Sequence, residues 1–236
     1  MAEPMIPETL LALLRSVDTP TVCNAIEVAQ GKRGFDGFTK GTMVHSKPGD
    51  PPTVGFARTA TIAGLEPPSE PAEVIKARRM DYFRSMAAGP SPSVAVIEDA
   101  DFPNCIAGWW GEVNVAVHKG LGMVGALTNG VVRDLDVLDE GFPVLAGSVG
   151  VSHGFVHVRS IGEPATIFGL SVNQGDLVHA DRHGALVVPP EVVGGLEQAI
   201  NTVIANEAIV LGPAREPGFT IDRLEEAWAR FEAART

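Results

Sequence analysis

Apolar positions along this chain recur at two spacings, and the switches between them divide it into elements. Leu10, Leu11, Leu13 and Leu14 give residues 7–15 the spacing of an amphipathic helix, and Asp18-Thr19-Pro20-Thr21 caps a second helix over residues 23–29. Residues 31–55, rich in Gly, Lys and Pro, read as loop, and residues 56–63 as a strand. Residues 70–86 are helical in composition. Ser93-Val94-Ala95-Val96-Ile97, running into Glu98-Asp99-Ala100-Asp101, has the pattern of a strand buried on both faces with acids at its carboxyl end.

A helix and a short strand follow. Val113, Ala116 and Val117 predict a helix over residues 113–119 that Gly120 and Gly122 stop, and residues 123–127 form an apolar strand. Thr128-Asn129-Gly130 then turns the chain. Val131, Leu135 and Leu138 share helical spacing, which places Arg133 and Asp134 at the start of a short helix ended by Gly141. Neighbouring strand residues point to opposite faces, so this turn is what lets both side chains reach one pocket. Residues 142–145 and 154–158 read as strands, and residues 175–189 as two strands about an Asp-Arg-His-Gly turn. Residues 191–209 and 221–234 are helical by composition. The whole reads as a single domain over residues 1–236 with helical N- and C-terminal segments and no internal repeat.

Composition excludes more than it assigns. A length of 236 residues with 45% hydrophobic content suffices for one well-buried core. The formal net charge of -11 argues against nucleic acid, whose phosphates want a basic face. Two distant cysteines, Cys23 and Cys105, suggest neither a disulfide framework nor a thiolate zinc site, which points to the cytoplasm. The start, Met1-Ala2-Glu3-Pro4, lacks a basic leader, and no apolar run is long enough to span a bilayer.

Candidate chemistry concentrates at Arg133-Asp134. Arginine offers a rigid fork of donors matched to a carboxylate, and aspartate offers the oxygen that magnesium or manganese prefers. Blander readings stand beside these: Asp134 as a helix N-cap, Arg133 as a surface cation, Glu112 as an acid favoured at a helix start, Gly111 as a turn. A rival site is imaginable in His153 and His157 on one face of a strand, with His179 and His183 bracketing Asp181, although Gly154 disfavours a helical His-x-x-x-His arrangement. Asp181 itself reads as a turn residue. Cys23 and Cys105 read as packing residues, and Trp109-Trp110 as walling a pocket or, preferably, filling a subunit interface.

Gly111-Glu112, Thr128-Asn129-Gly130-Val131-Val132-Arg133-Asp134, Gly141-Phe142-Pro143-Val144, and Gly175-Asp176 with Ala180-Asp181 through Gly184-Ala185-Leu186-Val187-Val188-Pro189 occur in that order. In these motifs the chain resembles the RraA-like family, which includes 4-hydroxy-4-methyl-2-oxoglutarate aldolases and the regulator of ribonuclease E activity A. The Asp18-Thr19-Pro20-Thr21 opening is also similar, while residues 31–92 match weakly. The resemblance implies a layered α/β fold, a β/β/α sandwich of the swivelling-domain type, assembled as a homotrimer or homohexamer with sites between subunits. It implies a metal-dependent lyase that cleaves a carbon–carbon bond of a 2-oxo acid to release pyruvate, with oxaloacetate decarboxylation as a related activity. The alternative it leaves is a non-catalytic regulator that binds and inhibits a partner enzyme. Carried onto this chain, it implies that Asp134 binds magnesium or manganese and Arg133 the substrate carboxylate and carbonyl. Gly111, Glu112 and the backbone N–H groups of Val113 and Asn114 would hold substrate oxygens. Glu112, and Glu207 of a neighbouring subunit, would reach the metal through water. The family usually has an apolar residue where Asn114 stands, a departure that bears on substrate identity.

Overall fold

The structure is a computed structural model that describes residues 6–234; the start read at Met1-Ala2-Glu3-Pro4 lies outside them. The backbone divides into two compact units, one made of residues up to 19 and 36–190, the other of residues 20–35 and 191 onward.

In the first unit, α1 (Glu8–Leu14) and the first residue of α2 (Thr19–Gln30) precede β1 (Val44–His45), β2 (Thr53–Ala63), α3 (Ala72–Ala87) and β3 (Ser93–Asp99). Then come β4 (Gly108–Trp110), α4 (Glu112–Gly120), β5 (Met123–Thr128), β6 (Val131–Val132), β7 (Val144–Ala146) and β8 (Ser148–Val149). The unit closes with β9 (His157–Ile161) and two hairpins, β10 (Ala165–Ile167) with β11 (Leu170–Val172) and β12 (Leu177–Asp181) with β13 (Gly184–Val188). The main sheet runs β1-β7-β5-β3-β2-β12-β13, with β9 also paired to β2. Its centre, β7-β5-β3-β2, is parallel.

A parallel sheet must be covered on both faces, and the period-two alternation of the strands shows how. Ala95 and Ile97 of β3, Ala126 of β5 and Ala60 and Ile62 of β2 face a core containing Tyr82 and Met86 of α3 and Val115 of α4. Val94 and Val96, Leu127 and Ala57 face the other way, onto Ala165, Ile167, Leu170 and Val172 of the β10–β11 hairpin. Helices, central sheet and hairpin thus make the β/β/α layering that the resemblance implies.

Most boundaries shift by one to three residues, but four expectations change. The segment 31–55 is not all loop: β1 lies inside it, and β2 begins at Thr53 because Thr53 to Phe56 pair with β12. The β10–β11 hairpin has no counterpart in the hydrophobic pattern; its turn uses Phe168 and Gly169, both at positive φ. Val131 and Val132 are strand rather than helix, and the expected helix shrinks to a 3-10 turn, Leu135–Val137. The strand expected over 154–158 begins only at His157, because Gly154 adopts φ 49 in a loop. His153 and His157 therefore do not share a strand face.

The Asp181 turn appears as read, with an added use. Its carboxylate accepts the N–H of His183 at 2.8 Å and that of Thr19, at the start of α2, at 2.9 Å. Burial would raise the Asp181 pKa, but these amides outweigh it and hold the carboxyl below its ordinary value. His179 spends both ring nitrogens on packing: Nε2–H donates to Leu14 O at 2.8 Å, and Nδ1 accepts from Thr19 Oγ1 at 3.0 Å. His179 is thus not arranged as a metal ligand, and His183 turns its Nδ1 to Asp181 Oδ1 at 3.1 Å.

The second unit holds the rest of α2 with α5 (Val193–Ala214) and α6 (Ile221–Ala234). α5 packs along α6, and Leu196, Ala199, Ile200, Val203 and Ala227 are buried. Glu27 accepts the N–H of Gly34 at 2.8 Å, folding the chain back after α2.

Candidate functional site

Three chain segments far apart in sequence meet in a small parallel sheet, β4-β6-β8. The turn into β6 is built by its own side chains. Asn129 Oδ1 accepts the N–H of Asp99 at 2.7 Å and its Nδ2 donates to Asp99 O at 3.2 Å, fastening the turn to the end of β3. Thr128 Oγ1 accepts Gly130 N–H at 3.0 Å. Arg133 N–H then donates to Trp110 O at 2.9 Å, which sets Arg133 beside the residue that opens α4.

Asp134 follows with φ 59 and ψ 34, a left-handed conformation that costs a non-glycine residue free energy and clusters at functional positions. Its carboxylate makes no cap to its own 3-10 turn, so the N-cap reading is not what the geometry realises. Asp134 Oδ2 instead accepts the Glu112 N–H at 3.2 Å and lies 3.7 Å from Arg133 Nε. Both side chains are one-third exposed. Arg133 Nε is itself buried without a hydrogen-bond partner.

Two glycines make this proximity possible. A Cβ on Gly111 would stand 2.5 Å from Asp134 Oδ2 and 3.1 Å from Arg133 Nε, and one on Gly108 3.1 Å from Arg133 Cδ. Gly111 is therefore more than a turn, and Gly108, not singled out from sequence, belongs with it. The signal available was the Gly-Trp-Trp-Gly spacing itself.

α4 presents its N-terminus to the pair. Its first intrahelical bond runs from Val115 N–H to Gly111 O at 3.0 Å, leaving the amides of Val113 and Asn114 without helical acceptors. Glu112 and Val113 are exposed. Asn114 uses its Nδ2 on Trp109 O at 2.6 Å. The helix is pinned from below: His118 Nδ1–H donates to Asn114 O at 2.6 Å, and Nε2 accepts from the Tyr82 hydroxyl at 2.6 Å. Burial pushes the His118 pKa down to about 4, so the ring is neutral.

The tryptophans are buried within this unit rather than left for a subunit interface. Trp110 packs in the core near Phe142 and His118, and Trp109 meets Tyr82 edge-on at 5.2 Å. Burial pushes the Cys105 thiol up to about 12 and raises that of Cys23, in keeping with packing roles. Glu207 lies on α5, half-buried in a cavity of about 680 Å³ that Lys32 and Arg33 also line.

Fold and site together define a layered α/β protein with a glycine-packed Arg–Asp pair set against a helix start. The sequence matches the RraA-like family, described as Aldolase/RraA, over residues 19–187, and the chain belongs to that family. Protein DlpA of Legionella pneumophila is 29% identical over 119 residues, which cover 49% of this chain but only 18% of DlpA. The crystal structure of an uncharacterized protein from Pseudomonas syringae pv. tomato superposes with a TM-score of 0.67 at 23% identity, covering 98% of this chain and 99% of that one. Streptomyces coelicolor RraAS2, described as an unusual member of the RNase ES inhibitor RraA protein family, superposes with a TM-score of 0.62 at 21% identity, over 98% and 100% of the two chains. The family thus joins aldolases with ribonuclease inhibitors, and the two crystal structures share the fold.

Proposed function

We propose that the protein is a divalent-metal-dependent lyase that cleaves a carbon–carbon bond of a 2-oxo acid, by retro-aldol cleavage of a 4-hydroxy-2-oxo diacid to pyruvate or by oxaloacetate decarboxylation. The observation that carries this reading is the Arg133–Asp134 ion pair: an aspartate in the left-handed region and a buried Nε that makes no hydrogen bond, packed against Gly111, where a Cβ would stand 2.5 Å from Asp134 Oδ2. A regulator that only docks a partner leaves both the backbone conformation and the donor without a use.

The donors present fit magnesium or manganese better than zinc. Among the described residues no three His, Cys, Asp or Glu side chains converge, whereas magnesium keeps several waters and takes one or two carboxylates. Asp134 would hold the ion directly, and Glu112, in the adjoining helical turn, through water. Bound there, the ion would act as a Lewis acid toward the carbonyl and carboxylate oxygens of the substrate. Arg133 would grip the substrate carboxylate and meet the negative charge that develops on the carbonyl oxygen. The amides of Val113 and Asn114 would hold further substrate oxygens at the positive end of α4.

The same reading includes a homotrimer or homohexamer, with Glu207 of a neighbouring subunit completing the site. Val113, Val137, Val149 and Val151, on segments flanking the pair, are more than half exposed, which favours their burial by another copy. The test is pyruvate release from oxaloacetate and from branched 4-hydroxy-2-oxo diacids, with magnesium or manganese and then with chelator, alongside light scattering. Full turnover in excess chelator, or a monomeric mass at micromolar concentration, would contradict the corresponding part of the proposal.

A further inference from the structure

The candidate site continues into a cavity of about 440 Å³ walled by α3, α4 and the loop before β9. Two contacts make them neighbours. Asn114, whose amide is one of those left without a helical acceptor at the start of α4, also lines the cavity. Gly108 donates its N–H to Ser152 O at 2.8 Å, and a Cβ on it would stand 3.1 Å from Arg133 Cδ, while His153, next along the chain from Ser152, is in the cavity wall. A small molecule held by Arg133 therefore has room to extend this way.

A cation stands in that direction. Arg79 lines the cavity from α3, is exposed, and has no hydrogen bond or ion pair among the described residues. Other arginines of the same helix are already engaged: Arg78 holds Glu70 at 2.5 Å, and Arg84 holds Asp81 at 2.7 Å. Among the described residues no carboxylate lines the cavity, so nothing there competes for the Arg79 fork. Pro68, Ile75 and Phe155 supply apolar wall for a carbon chain or a branch on it.

Resting on the lyase reading of the Arg133–Asp134 pair, we infer that Arg79 receives the second carboxylate of a 2-oxo diacid whose first carboxylate and carbonyl lie at Arg133. Arg79 is then the residue that selects a diacid over a monoacid. A planar guanidinium meets a carboxylate through two parallel N–H···O bonds. In retro-aldol cleavage the C3–C4 bond breaks, its electron pair passes into the enolate of pyruvate, the 4-hydroxyl gives its proton to water as it becomes a carbonyl, and water returns a proton to C3. The second carboxylate keeps its charge throughout and stays on Arg79. In oxaloacetate decarboxylation that carboxylate is the group that departs as carbon dioxide and passes its charge to the enolate, so the same grip holds the ground state back. Of the two reactions, the subsite favours the aldol cleavage.

Calorimetric titration of the full chain with magnesium present compares 2-oxoglutarate with 2-oxopentanoate, which carries a methyl group in place of the second carboxylate. Neither has the 4-hydroxyl that retro-aldol cleavage needs, so binding is read apart from turnover. 2-Oxoglutarate binds about tenfold tighter or more, the scale of a hydrogen bond to a charged group. Arg79→Ala removes that preference, and 2-oxopentanoate binding changes far less. With 4-hydroxy-4-methyl-2-oxoglutarate, Arg79→Ala raises KM by about the same factor and spares kcat, because the second carboxylate is held alike in substrate and transition state. Failure of 2-oxoglutarate to bind, equal binding of the two acids, or equal loss of both in Arg79→Ala would overturn the subsite. A preference for 2-oxoglutarate that Arg79→Ala abolishes, without pyruvate release from the hydroxy diacid, would leave the subsite standing and remove the lyase reading instead.

Discussion

Gly111 and Asp134 approach so closely that a single methyl group on Gly111 would stand 2.5 Å from the Asp134 carboxylate oxygen. Gly111 has φ -159, an extended conformation open to any residue, so its side-chain-free surface and not its backbone freedom is what the pair requires. Gly111→Ala is expected to displace Asp134 and Arg133 and to lower turnover by about 10²-fold, the scale of an ångström-sized misplacement. Thermal stability should fall by only about 1–3 kcal/mol, as in overpacking. Steady-state kinetics and a melting curve on the same preparation check both parts.

The pair itself separates catalytic from structural roles. Arg133→Lys keeps the charge and loses the planar fork, so turnover should drop by roughly 10²–10³ while metal affinity survives. Asp134→Asn removes the charged ligand and should weaken metal affinity and turnover together. Because asparagine tolerates the left-handed region as well as aspartate does, melting temperature should barely move. If metal affinity and turnover also stand still, Asp134 is structural and the lyase reading is lost.

His118 predicts an acid-sensitive fold. Its ring is neutral between Asn114 O and the Tyr82 hydroxyl, and burial lowers its pKa from 6.5 to about 4. A lowered folded pKa means that the unfolded chain binds the proton first, so stability is intact above pH 6.5 and declines as the pH falls toward 4. The loss from this one group is on the order of 3 kcal/mol. His179 and His45, whose pKa values burial also lowers, add to the same trend. Denaturant unfolding at intervals from pH 8 to about 4 reads the slope, and a flat profile would count against a neutral buried His118.

Cys105 and Cys23 should be poor nucleophiles. With the Cys105 thiol pushed up to about 12 by burial and then by Asp99, and that of Cys23 raised by burial, little thiolate exists near neutrality. Iodoacetamide at pH 7.5 should leave both unmodified by mass spectrometry, and turnover unchanged.

Where the pattern was strong, the sequence sufficed. β3, β5 and the β12–β13 hairpin follow from apolar runs and a two-residue turn, and their pairing, down to Asp181 opposite Gly184, is as the pattern implies. Arg133 and Asp134 were visible because they are adjacent, and their setting against Gly111 and Glu112 came through the motif resemblance. What escaped depends on encounters between distant short segments. β6 and β8 are two residues long, too short for any periodicity to register, and they pair only because β4, β6 and β8 are brought together. Val131 and Leu135 fitted a helix by spacing, but Asp134 adopts a backbone conformation that spacing cannot report. Arg79 and His157 share a cavity across a long stretch of sequence, and no local signal joins them.

The eleven-residue strand β2 divides its two edges unequally: β3 runs along one from Phe56 to Ile62, while β12 and β9 share the other in succession. Amides in the middle of such a strand can meet solvent only when several neighbours detach together, whereas the exposed edge strand β8 can part from β6 with little else disturbed. Hydrogen exchange should therefore be slowest in β2 and much faster at β8, the edge of the short sheet that leads into Arg133. The candidate site would then breathe on its own, without the rest of the sheet coming apart.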